Sequence, residues 1–72
     1  MNATYTRTAV DDLKVGDVIE TWWTPGRDII THLEPYLGNI DFLRGARIAR
    51  FALNNTGMTL EAGRTENVLC QP

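Results

Sequence analysis

Asp17-Val18-Ile19-Glu20-Thr21-Trp22-Trp23-Thr24-Pro25-Gly26-Arg27-Asp28-Ile29-Ile30-Thr31-His32-Leu33-Glu34 decides how this chain is read. Residues 17–23 are rich in β-branched and aromatic side chains, the composition of a strand. Pro25-Gly26 interrupts them, residues 28–34 return as a second strand, and Pro35 ends regular pairing because it lacks an N–H. A hairpin centred on Pro25-Gly26 pairs Trp22 with Ile29, Val18 with Leu33, Trp23 with Asp28 and Ile19 with His32. Val18, Trp22, Ile29 and Leu33 then share one face. Ile19, Thr21, Trp23, Asp28, Ile30 and His32 share the other. The more apolar face marks Trp22 as the core indole and Trp23 as the exposed one, because neighbouring strand residues point to opposite sides.

Outward from this hairpin, residues 1–9 are polar and Thr-rich, an arm or a short edge strand. Asp11 to Asp17 reads as a turn segment, with Gly16 free to adopt positive φ. Residues 36–44 form a connection with room for one helical turn after Asn39 or Asp41. Residues 46–53 fit either a helical stripe or a strand. The strand is favoured because Asn54-Asn55-Thr56-Gly57 is a turn signal and residues 58–61 alternate. Pairing across that turn sets Leu53 against Met58, Phe51 against Leu60, Ala49 against Ala62 and Arg50 against Glu61. Gly63-Arg64 makes the last turn before a final strand at 66–70.

Five short strands, mostly joined by hairpin turns, predict a mainly β domain covering residues 1–72, a small five-stranded SH3-like barrel. An OB-like barrel, or an α+β fold with a helix at about 40–54, is the alternative. The segment Asp12-Leu13-Lys14-Val15-Gly16-Asp17-Val18-Ile19 resembles the lead-in of many small barrels.

The 72 residues carry a net charge of −2, with six arginines and one lysine. That balance argues against general nucleic-acid binding, where phosphate contacts supply most of the affinity. No apolar run approaches the length of a membrane span, and residues 1–5 lack the basic and apolar regions of a signal peptide. With Cys70 the single cysteine, a cytoplasmic setting is expected. Asn2-Ala3-Thr4 fits a glycosylation sequon, which the absence of a secretion signal makes a chance match.

No phosphate-binding loop, dinucleotide fingerprint or zinc-ligand spacing is present, so neither a metal nor another cofactor is expected. His32 and Cys70 are the residue types of a nucleophile–base pair, but nothing in their spacing brings them together. The expectation is a non-enzymatic module. Trp23, Arg27, His32 and Tyr36, read as lying toward one end of the first hairpin, form the candidate protein-binding patch. Trp, Tyr and Arg are the types enriched where binding energy concentrates. Arg44 and Arg47, with Arg50, are the alternative, a nucleic-acid-binding set with an aromatic stacking on a base. A homodimer would relieve the thin core of so short a chain. In size and style the chain resembles the short single-domain accessory proteins of phages and mobile elements.

Overall fold

The computed structural model describes residues 4–70, which leaves Asn2 of the sequon and the first residues of the polar arm outside the description. Six antiparallel strands run as β1 (Tyr5–Ala9), β2 (Val18–Glu20), β3 (Arg27–Pro35), β4 (Arg47–Phe51), β5 (Met58–Leu60) and β6 (Thr65–Leu69). They form one sheet in the order β1-β6-β2-β3-β4-β5. The protein is therefore mainly β, and the sheet is not closed into a barrel, against the barrel expected from strand count. The Thr-rich arm supplies the sixth strand as an edge, Tyr5 facing Leu69 and Ala9 facing Thr65. Residues 47–51 are strand, and the described residues contain no α-helix. The helical turn expected after Asn39 or Asp41 is a single 3-10 turn at Asp41–Leu43.

Both central hairpins keep the side-chain parity read from the sequence but change its register. Val18 faces Ile29 rather than Leu33, and Ile19 faces Asp28 rather than His32. Ala49 faces Met58 rather than Ala62. In each case the partner moves by four residues, so both turns are wider than expected. The first places Trp22 and Trp23 in the turn itself. The Trp23–Gly26 turn contains a cis Thr24–Pro25 bond and is closed by the Gly26 amide donating to the Trp23 carbonyl at 2.6 Å.

Which face points inward is also reversed. Ile19 and Ile30 are fully buried, while Ile29 is exposed. The physical reason is a bulge at Thr31, between the pairs Ile30–Phe51 and His32–Arg50. An extra residue there breaks the period of two and brings Leu33 onto the same side as Ile30, packed against the core. Val10, Leu13, Ile19, Ile30, Ala49, Phe51 and Leu60 form that core, with Trp23, Leu33, Met58 and Val68 against it.

Arg47 shares the inward parity of Ala49 and Phe51. Its Nη1 donates to the Val10 carbonyl at 3.1 Å and the Leu13 carbonyl at 2.8 Å. It thereby ties β4 to the 3-10 turn Val10–Asp12, across the sheet. Arg47→Met keeps the aliphatic stem and strands the Leu13 carbonyl, while the Val10 carbonyl keeps the Leu13 amide at 3.2 Å. The expected cost is about 1–3 kcal/mol, read as a fall in the urea midpoint with unchanged slope.

Candidate functional site

Asp28 organises the end of the molecule that carries the tryptophans. Its side chain lies on the inward face of β3 with 4% of its surface exposed, yet it is not left unpaired. Its carboxylate accepts from the Trp23 indole Nε1 at 2.9 Å and from the Ile29 amide at 2.8 Å. The Leu53 amide, at 3.0 Å, and the Asn54 amide, at 3.1 Å, also donate to it. Burial by itself would push this carboxyl up, but the indole and the three amides outweigh it and hold the group below its ordinary value. This one anion joins both of the widened turns. It folds Trp23 back over the core, and it draws residues 53–54 away from β5.

Trp23 is half-buried, with its ring edge-on to Phe51 at a centroid separation of 5.3 Å. Trp22 meets Trp23 edge-on at 5.4 Å and keeps 81% of its surface exposed. The roles expected for the two indoles are thus exchanged: Trp23 belongs to the core and Trp22 is the free one.

The other expected site residues do not converge. Arg27 is exposed at the start of β3, opposite Glu20. His32 is exposed opposite Arg50, with Nδ1 at 3.0 Å from the Thr31 hydroxyl. Tyr36 lies beyond Pro35 with its ring against Gly38, and its amide donates to the Ala46 carbonyl. The length of β3 from Arg27 to Pro35, about 26 Å at ~3.3 Å per residue, separates Tyr36 from the tryptophan turn. Arg44 is exposed and pairs with Asp41 at 3.4 Å, while Arg47 is occupied by the two carbonyls. Arg50 is exposed on β4 opposite His32 rather than Glu61. Cys70 contacts the Thr6 hydroxyl at 2.7 Å beside β1, two strands away from His32. Among the described residues no three metal-ligating side chains cluster.

What the fold does bring together is a groove between β5, an outer strand of the sheet, and the inward side of β6. A cavity of about 460 Å³ is lined by Ile19, Glu20, Thr21, Trp22, Trp23, Gly26, Met58 and Glu66. A second, of about 170 Å³, is lined by Val10, Met58, Thr59, Leu60, Glu61, Arg64 and Glu66. Met58 and Glu66 belong to both, so the cavities meet. On its other side β5 pairs with β4, and no described strand pairs with its groove edge.

Glu66 is the residue the sequence reading missed. On β6 it stands two positions before Val68, which packs on the core, so it shares the inward parity. Burial pushes its carboxyl up, against the opposing pull of Arg64. The ion pairs among the described residues are Lys14–Asp17 and Arg44–Asp41, which leaves Glu66 outside any. The phase of Glu66 with Val68 was the available signal.

A carboxyl held up by burial favours folding most when protonated. Its ionised form therefore weakens the fold above its raised pKa, and the effect disappears as pH falls below its ordinary value. Glu66→Gln should raise the urea midpoint slightly at pH 7, with no gain at about pH 3.5, below the ordinary carboxylate pKa.

Comparison with protein-family models, with curated proteins and with solved structures returned no match to this chain.

Proposed function

We propose that this chain is a non-catalytic interaction module, a small SH3-like β fold opened along one seam, that binds a protein partner in the groove between β5 and β6. The observation carrying this reading is Trp22. A largely exposed indole lines a cavity of about 460 Å³, next to a strand edge with which no described strand pairs. Large exposed aromatics beside a concave apolar surface are where binding energy concentrates. The aromatic part of the expected patch is retained with Trp22 in place of Trp23, and Tyr36 belongs to a different surface. An accessory role, of the kind short phage chains play, fits such a module. Dispersal of Arg44, Arg47 and Arg50 over separate surroundings gives the nucleic-acid reading no comparable support.

The test is selection of displayed peptides against the full chain, followed by titration of the winners while tryptophan emission is followed. Trp22→Ala should weaken them at least about tenfold, roughly 1.4 kcal/mol. Phe42→Ala, on the exposed 3-10 turn, should leave them unchanged. If Trp22→Ala binds them normally, or if no peptide is selected, the proposal fails.

A further inference from the structure

The groove has a chemistry as well as a shape. Its larger cavity is lined by two carboxylate residues, Glu20 and Glu66, and by no cation. The Glu20 carboxylate already accepts from the Asn67 amide nitrogen at 3.0 Å. Among the described residues Glu66 is outside any ion pair, and it has inward parity. The indole of Trp22 lines the same cavity and offers an aromatic face. A carboxylate and an indole lining one cavity make a receptor for an organic cation, because the ring face attracts positive charge and the carboxylate neutralises it. Along one side of the groove runs the unpaired edge of β5, which presents main-chain groups to an added strand.

Resting on the groove reading above, we infer that the occupant is an extended basic segment of another protein. It adds as a strand beside β5 and seats a lysine or arginine side chain between Glu66 and Trp22. Main-chain pairing supplies affinity that does not depend on sequence, and the seated cation supplies selectivity. Met58, which lines both cavities, is the apolar floor for the stem of that side chain. The smaller cavity, at about 170 Å³, is lined by Arg64 as well as by Glu61 and Glu66, and has room for about six waters at ~30 Å³ each, enough for an uncharged second side chain of the same strand face. A bound cation also relieves the strain on Glu66, since an adjacent positive charge favours the ionised carboxyl that burial opposes.

Binding of short labelled peptides to the full chain, followed by fluorescence anisotropy at physiological salt, tests this. The probes are a capped eight-residue peptide alternating valine and lysine, its glutamate and threonine counterparts, and the lysine peptide with alternate backbone nitrogens methylated. Expected are binding of the lysine peptide, loss with the glutamate and N-methylated forms, and at least about tenfold weakening by Glu66→Gln or Trp22→Ala. Glu34→Gln, an exposed carboxylate on β3, should change nothing. Equal binding of the threonine and lysine peptides, with Glu66→Gln silent, overturns the cation site and leaves the groove reading standing. Equal weakening by Glu34→Gln and Glu66→Gln overturns it as diffuse charge attraction. Failure of every peptide to bind, with tryptophan emission unmoved, overturns both readings. So does a chain dimer in light scattering that no peptide dissociates, since the seam then belongs to a second copy.

Discussion

Asp28→Ala should remove a large share of the domain's stability. Four donors lose their acceptor at once: the Trp23 indole and the amides of Ile29, Leu53 and Asn54. Each stranded buried donor costs about 1–3 kcal/mol, and partial rescue by water brings the expected total to about 3–5 kcal/mol. A chain of this length holds only about 4–11 kcal/mol in all, at ~0.05–0.15 kcal/mol per residue. Asp28→Asn keeps one acceptor oxygen but turns amide hydrogens toward donors, so a loss of about 2–3 kcal/mol is expected. Urea titration followed by circular dichroism measures both. A loss under about 1 kcal/mol for Asp28→Ala would sink the claim that this carboxylate holds the two turns together.

The same residue sets an acid limit. Because its folded pKa lies below the ordinary value, its contribution is fully present above the unfolded pKa and is lost as pH falls through the folded one. The stability gap between the native chain and Asp28→Asn should stay constant from about pH 8 to 5 and narrow only below about pH 4.

Trp23→Ala should destabilise by about 3–4 kcal/mol, whereas Trp22→Ala should fall within about 0.5 kcal/mol of the native chain. The contrast comes from surroundings, since the residues are identical and adjacent. Trp23 gives up packing on the core, an edge contact with Phe51 and a hydrogen bond to a buried carboxylate. Trp22 gives up one edge contact and is otherwise in water. Parallel urea curves for the two variants decide this. A larger loss for Trp22→Ala would mean that the two indoles are assigned the wrong way round.

Pattern reading did well where local signals were strong. β-branched runs and turn residues placed the strands at 18–20, 27–35, 47–51, 58–60 and 65–69 to within a few residues. The sorting of Val18 and Ile29 from Ile19, Asp28 and Ile30 was also correct, because side-chain parity is a property of the strand itself. The candidate site was less legible. Counting exposed aromatics and arginines brought together Trp23, Arg27 and Tyr36, although the length of β3 separates Tyr36 from the other two, and passed over Glu66. A glutamate on a short terminal strand carries no mark of its own. It becomes notable only when Val68 shows which way β6 faces.

Strand content, the antiparallel hairpins and the alternation of faces were thus determined by the sequence alone, through short-range preferences that act within a few residues. Register, the inward face and the open seam were decided by the tertiary structure. Asp28 gathers donors from two distant turns, the Thr31 bulge carries Leu33 across the sheet, and β6 is taken up between β1 and β2 while β5 stays an outer strand. Each is a contact that exists only once remote segments meet, and no window of neighbouring residues contains it.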